Sequence, residues 1–279
     1  MLTVASVNVN GVRAAVRRGM PAWLQARRPD VLTLQEVRAP DDALAQALGP
    51  GWHTVHEEAA ARGRAGVAVA TRQAPRDVRT GLAPAGPGEA FDAAGRWVEA
   101  DLDVVPPSPV AGAGVLTVVS AYVHTGEAGT PRQAQKMAFL DAAAARLDAL
   151  ADDGRHVLLT GDLNVCHREA DLKNWKGNRG RSGFLPAERA WFDRLLDDRG
   201  WVDVVRTRAG DRPGPYTWWS WRGKAFDLDS GWRIDHQIAT SALATLVLDA
   251  TVDRAASYAE RWSDHAPVVV AYDLGLPAA

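Results

Sequence analysis

Short runs rich in Val, Leu, Ala and Thr recur along the chain, at Leu2–Val9, Val31–Gln35, Gly66–Thr71, Trp97–Val104, Val115–Val123, His156–Thr160, Ile234–Ala239, Leu246–Val252 and Pro267–Tyr272. Several are nearly unbroken apolar sequence, the pattern of strands covered on both faces or facing a second sheet. Helical periodicity appears between them. Pro131–Leu150 follows Thr130, a capping residue type, opens on proline and carries an Ala/Leu stripe. Pro186–Leu196 reads the same way, and Val12–Arg27 is a third candidate. Many strands with few helices do not make a regular βαβ alternation, so the pattern predicts two packed sheets flanked by helices.

At about 150 residues per domain, a chain of 279 residues allows one large domain or two small ones. No solenoid-type repeat is present. The proline- and glycine-rich segments at 83–88 and 105–109 are short loops between apolar runs rather than linkers, so 1–279 reads as a single domain. An apolar share of 47% with 24% charged residues excludes a disordered or collagen-like chain. A net charge of −2 excludes coating of nucleic acid by bulk charge and leaves room for a local basic groove. Lone Cys166 forbids an internal disulfide, fits a reducing compartment and reads as a small buried hydrophobe. The N-terminus lacks a basic leader and turns polar by Asn8, and the uncharged stretch Val104–Val123 is broken by Pro106, Pro107, Pro109, Gly112 and Gly114. No signal peptide and no membrane span are expected, which places the protein in the cytoplasm.

The polar residues fall where these strands end. Val157–Gly161 runs into Asp162-Leu-Asn164, and residues two apart in extended chain share a face. Val4–Val7 runs likewise into Asn8-Val-Asn10, and Val31–Gln35 into Glu36. Ile234 precedes Asp235, and Asp264-His265 leads into the last strand. Polar groups at strand ends of an α/β protein commonly meet in one crevice. The oxygen-rich set Glu36, Asp162 and Asp264, with Asn8, Asn10 and Asn164, is what a hard cation such as Mg²⁺ prefers. His265 is the candidate acid or base near neutral pH. Taken singly, Asp-x-Asn reads as a turn or cap, Glu36 as a solvated acid and Tyr122 as a core aromatic. The case rests on their joint order.

That order, in Ser6-Val-Asn8-Val-Asn10-Gly-Val-Arg13-Ala, Leu34-Gln-Glu36-Val, Gly161-Asp162-Leu-Asn164, Gly231-Trp232-Arg-Ile-Asp235 and Ser263-Asp264-His265-Ala-Pro267, resembles the exonuclease III family from about Thr3 to Tyr272. These are DNA repair nucleases and abasic-site endonucleases of the endonuclease/exonuclease/phosphatase superfamily. Asp-x-Asn and Ser-Asp-His are shared across the superfamily, whereas Gly-Trp-Arg-Ile-Asp and Phe184-Leu-Pro-x-Glu188-Arg point to the repair branch. The resemblance implies an α/β four-layer sandwich of two mixed β-sheets between helices. It implies Glu36 as main Mg²⁺ ligand, with Mn²⁺ as a substitute, helped by Asn8 and, in some metal positions, by Asp162, Asn164, Asp264 and His265. It also implies that Asp162 orients or deprotonates the attacking water, that Asn164 holds a phosphate oxygen and that Tyr122 contacts the scissile phosphate. Asp235 would pair with His265, which either stabilises the transition state or acts as base. In-line attack on a phosphodiester builds negative charge that a divalent ion and such donors stabilise. No nucleophile elbow, P-loop or Gly-x-Gly-x-x-Gly fingerprint competes.

Seven of the eleven tryptophans lie between residues 175 and 232. Trp191 and Trp201 read as core. The resemblance gives Trp218 and Trp232 another role, walling a pocket for a sugar that has lost its base. The segment Asp171–Arg181 carries Lys173, Lys176, Arg179 and Arg181 around Trp175, and reads as a phosphate-backbone contact or a solvated loop. Two positions depart from the family pattern: Val7, where relatives often have an aromatic, and His124-Thr125-Gly126, where Pro-Asn-Gly is usual. The implied function is a Mg²⁺-dependent phosphodiesterase: 3′→5′ exonuclease on duplex DNA, incision 5′ to abasic sites and removal of 3′ blocks, by a monomer. The alternative is another metal-dependent phosphoesterase of the superfamily, acting on RNA or a small phosphoester.

Overall fold

In the computed structural model, which describes residues 1–61, 63–82, 91, 94–107 and 114–277, the apolar runs become strands. In chain order these are β1 (Leu2–Asn8), β2 (Val31–Gln35), β3 (His53–Glu57), β4 (Val67–Thr71), β5 (Asp77–Thr80), β6 (Trp97–Asp103), β7 (Val115–Tyr122), β8 (His156–Asp162), β9 (Val202–Asp203), β10 (Asp235–Ala239), β11 (Val247–Val252) and β12 (Val268–Tyr272). The helices are α1 (Val12–Arg18), α2 (Met20–Arg27), α3 (Asp41–Leu48), α4 (Pro131–Ala151), α5 (Trp175–Asn178), α6 (Pro186–Asp193), α7 (Val204–Ala209) and α8 (Ser241–Ala244). Two six-stranded sheets result, ordered β11-β12-β1-β2-β4-β3 and β5-β6-β7-β8-β10-β9. Both are mixed: β1 and β2 pair in parallel, as do β7 and β8, and the remaining neighbours are antiparallel.

Apolar side chains fill three layers, which is why the central strands lack a polar face. Between the sheets lie Val4, Val31, Val67 and Val270 against Val98, Leu102, Val118 and Leu158. Outside the first sheet, α1 to α3 pack Val12, Met20, Leu24 and Leu44 on Ala5, Val7, Leu32 and Leu34. Outside the second, α4 and α6 pack Phe139, Leu140, Leu147 and Trp191 on Val119, Leu159 and Ile238. This is the expected α/β sandwich of four layers. The contact between the sheets is also pinned by polar pairs: the Thr33 and Thr160 hydroxyls lie 2.7 Å apart, and Gln35 Nε2 donates to Ser120 Oγ at 3.0 Å.

Several boundaries differ from the sequence pattern, each for a local reason. The single helix expected over Val12–Arg27 is two, because Gly19 at φ 118° ends α1 and starts α2 on a new axis. The helix from Pro186 is α-helical to Asp193 and then widens into a π turn at Arg194–Asp198. The unanticipated strands β3, β5 and β9 are sheet edges; β5 is largely exposed and β3 partly so, and they carry no apolar run. Segment 83–88 and residues 108–113 of the uncharged stretch lie outside the described residues. No helix among the described residues is long and apolar enough to cross a membrane. Cys166, Trp191 and Trp201 are buried, as their neighbourhoods suggested.

Candidate active site

The register of the strands decides which side chains meet. In the second sheet Tyr122 and Asp235 both stand opposite Asp162, on β7 and β10 flanking β8. In the first sheet Asn8 ends β1 beside Gln35 at the end of β2, so Glu36 emerges next to it. Both rows finish at the same end of the sandwich. Their convergence depends on Gly161, since a Cβ there would lie 2.0 Å from the Ala121 carbonyl oxygen. The loops leaving the strands hold Asn10, Glu36 and Asn164 at φ 46°, 50° and 52°. Left-handed backbone is tolerated by Asn and strained for Glu, and such strain concentrates at functional sites. The segment carrying Glu36 is locked in that turn because its carbonyl accepts from Gly11 N at 2.8 Å while Val37 N donates to Gly66 O at 3.0 Å.

These residues form the floor of a cavity of about 290 Å³ lined by Asn10, Glu36, Asp162, Asn164, Asp264 and His265, with Trp218, Trp232 and Ile234 along one wall. Asn8 is fully buried and bridges two carboxylates, its Nδ2 donating to Glu36 Oε1 at 2.8 Å and Asp162 Oδ2 at 2.9 Å. Its Oδ1 accepts from Asn10 N at 2.9 Å, so the amide nitrogen faces the acids. Asp162 also accepts from Asn164 N at 2.9 Å and Asn164 Nδ2 at 3.1 Å. Asn164 Nδ2 donates a second bond to the Val123 carbonyl at 2.8 Å. Burial, with the charges of Asp235 and Glu36 close by, pushes the Asp162 carboxyl up, and His265 opposes that push.

His265 Nδ1 lies 2.8 Å from Asp235 Oδ2, and its Nε2 faces Asp162 Oδ2 at 3.9 Å. Burial alone would lower the imidazole pKa, but the charge and hydrogen bond of Asp235, with Asp162 and Asp264, raise it to about 10. A ring held protonated donates hydrogen bonds, which suits His265 to a phosphate oxygen better than to a cation. Asp264 stands to the side, accepting from Asn10 Nδ2 at 2.9 Å and from Trp218 Nε1 at 3.1 Å. Tyr122 is half-buried under the Arg96 guanidinium, 4.8 Å from its ring, and burial together with Glu36 and Asp162 pushes its phenol up. It therefore stays a donor at any physiological pH.

Among the described residues, Glu36, Asp162 and His265 bring ligand atoms within 4.8 Å of one another. Two buried carboxylates supply hard oxygen donors and a surplus of negative charge that a divalent cation would relieve, so the residues fit such an ion. Trp218 and Trp232 stand at 82° with ring centroids 6.4 Å apart, stitched together by paired backbone bonds. Lys173 and Lys176 are exposed and lie outside the cavity, and the segment carrying them is tied to the wall where Lys173 N donates to Gly231 O at 3.1 Å.

Sequence reasoning missed several contributors. Arg38, Thr125, Ser182 and Gly183 also line the cavity, and Arg38 forms an ion pair with Glu36. They come from loops, where no periodicity marks them. Arg233, noted only as part of a motif, is completely buried between Asp171 at 2.6 Å and Asp203 at 2.7 Å, bracing the segment just before Asp235.

The comparisons with known proteins agree with this geometry. Residues 5–265 match the family described as Endonuclease/Exonuclease/phosphatase family. The chain is 32% identical over 273 residues to the exodeoxyribonuclease III of Haemophilus influenzae, covering 94% of this chain and 97% of that protein. It superposes on an AP endonuclease from Archaeoglobus fulgidus with a TM-score of 0.80 at 28% identity, covering 98% of this chain and all of the other. A 3′ phosphatase from Neisseria bound to a product DNA hairpin gives 0.81 at 30% identity, with coverage of 98% and 100%.

Proposed function

The chain belongs to the endonuclease/exonuclease/phosphatase family, within its exonuclease III branch of phosphodiester-hydrolysing nucleases, and on that premise we propose that it is a divalent-cation-dependent DNA repair phosphodiesterase. Its substrates are duplex DNA with abasic sites, incised 5′ to the lesion, and 3′ ends, trimmed or freed of blocking phosphates. The observation that carries this reading is the placement of Asp162, Asn164 and His265, the last backed by Asp235, in a cavity that two tryptophans at 82° also line. The reading takes the chain as a single domain working as a monomer in the cytoplasm.

The residues divide the work. Asp162, held from two sides by Asn8 and Asn164, orients the attacking water, and its raised pKa suits it to take the water's proton. His265, kept protonated by Asp235, donates to an oxygen of the phosphate as charge builds there. The Tyr122 phenol is a further donor beside Glu36 and Asp162, and Asn164 Nδ2, which donates to Asp162 and Val123 before substrate arrives, would exchange one of those bonds for a phosphate oxygen. Glu36 and Asp162, with Asn164 and Asp264 nearby, would hold Mg²⁺ or Mn²⁺, which when bound supplies neutralising charge for the phosphate and the leaving oxygen; Asn8, expected as a ligand, instead turns its amide nitrogen to the two carboxylates and aims them. Trp218 and Trp232 supply a rigid apolar wall against which a flipped, base-less deoxyribose fits and a nucleotide with its base does not.

The test is a 5′-labelled duplex bearing one abasic-site analogue, beside a duplex with a recessed 3′ end, each incubated with Mg²⁺ and with EDTA. The expected outcome is incision 5′ to the lesion that chelator stops and Mg²⁺ restores. Cleavage of neither duplex by folded protein would overturn the reading in favour of an RNA or small-phosphoester substrate.

A further inference from the structure

Helix α4 covers the second sheet with an apolar face, and on that face sits Lys136, completely buried. An ammonium withdrawn from water needs acceptors for all its protons. Lys136 Nζ has three: Glu188 Oε1 at 2.5 Å, the Asn164 carbonyl at 2.8 Å and Ser182 Oγ at 3.4 Å. Glu188 is equally buried. Its Oε1 also accepts from Gln133 Nε2 at 2.9 Å, while its Oε2 accepts from Gly183 N at 2.7 Å and Leu185 N at 2.9 Å, closing the first turn of α6.

The ends of this network are its informative part. One is the backbone of Asn164, which holds φ 52° and whose side chain is bonded to Asp162. The other is Gly183, where a Cβ would lie 3.1 Å from the Trp232 ring and 3.2 Å from the Asn164 carbonyl. The segment around Gly183 thus lies between the catalytic turn and the pocket wall, joined to the turn by Cys166 N on Gly183 O at 2.8 Å and by Lys136, which is bonded to the Asn164 carbonyl and to Ser182 and Glu188. Asn tolerates positive φ, so the turn would persist without its carbonyl bond but with one restraint fewer, and any backbone rotation there carries the side chain with it.

We propose that Lys136, with Glu188, is a positioning residue for the phosphodiesterase reaction. It clamps the Asn164 carbonyl to segment 182–185 and so fixes the aim of the Asn164 amide relative to the Trp232 wall. The inference rests on the nuclease reading of the site, and it has a consequence that needs no turnover: with the clamp open, the bonds of the Asn164 amide to Asp162 and Val123 break more often.

The experiment compares Lys136→Met/Glu188→Gln, which removes both charges together, with Leu147→Ala, a destabilising core change on the same helix. Hydrogen exchange of the Asn164 side-chain amide is read by NMR on metal-free protein, and kcat and KM are read on the abasic duplex. The double variant is expected to exchange at least about tenfold faster at Asn164 than the Leu147 control. Its kcat should fall about tenfold or more, with KM within about twofold, because misplacement of a reacting group acts on the chemical step. If Asn164 exchange and kcat match the control while only Tm falls, the pair is a fold element and the proposal is wrong. A parent protein that leaves the duplex uncut would instead sink the nuclease reading, and the exchange measurement would still decide the role of Lys136. Should the double variant not fold, Glu188→Gln alone retains an acceptor for Gly183 and Leu185, and is expected to move both readouts in the same direction.

Discussion

At the scale of single residues, the Asp235–His265 pair makes the sharpest commitment. The imidazole pKa of about 10 in the folded protein lies above the ordinary value of 6.5. A group raised in this way stabilises the fold fully below its unfolded pKa, and that contribution is lost as pH climbs through the folded one. Asp235→Asn should therefore lower Tm most near pH 6, less at pH 8, and almost not at all above pH 10. A gap that stays constant with pH would mean the pair is not ionic. The same change should cut kcat roughly 10⁴-fold, the order seen when an orienting carboxylate beside a catalytic histidine becomes an amide. Glu36, Asp162, Asn164 and Asp235 could be found from sequence because each follows abruptly on an apolar run, which tells where a strand stops and its side chains project. Arg38, Thr125 and Ser182 follow no such edge. Lys136 was hidden differently: a lysine in a helix ordinarily faces water, and only the packing of α4 on the sheet turns it inward.

At the scale of elements, the site depends on how closely β7 and β8 approach. Gly161 adopts φ 129°, and a methyl group there would collide with the Ala121 carbonyl, whose strand also carries Tyr122. Gly161→Ala should cost about 3 kcal/mol from overpacking and backbone strain. In a chain of this size that lowers Tm by roughly 6–12 °C. Activity should fall further than stability, because the shift separates Tyr122 from Asp162; a melting temperature equal to the parent's would show that the strands part freely. The central strands were readable because both their faces are covered, which writes runs of Val, Leu and Ala broken only by small hydroxyl residues and by the polar strand ends into β1, β2, β4, β7 and β8. The edge strand β5 has mostly exposed side chains and β3 only one buried residue, so neither carries an apolar run and their pairing makes them strands. The break between α1 and α2 was missed because apolar periodicity continues across Gly19 while the backbone does not.

At the scale of the molecule, a net charge of −2 means that attraction to DNA must come from local arrangement rather than from the whole surface. The segment around α5 supplies one such arrangement. It is bound to the pocket wall by the Leu172–Trp232 bridge and by Lys173 N on Gly231 O. Arg179 is partly engaged, 4.3 Å over the Trp175 ring and 3.6 Å from Glu169. Lys173 and Lys176 are exposed and form no ion pair with a carboxylate among the described residues. If each neutralises one phosphate, Lys173→Ala/Lys176→Ala should make the slope of log affinity against log salt shallower by about 1.8, at about 0.9 per phosphate. Anisotropy titrations in EDTA over a series of salt concentrations would read this directly. The loss should be the same for abasic and intact duplexes, since phosphate contacts carry no lesion information. An unchanged slope would make the α5 segment a solvated surface and move the phosphate track to other cations, such as Arg13 and Arg38, which line a groove of about 700 Å³ that shares Arg38 with the site.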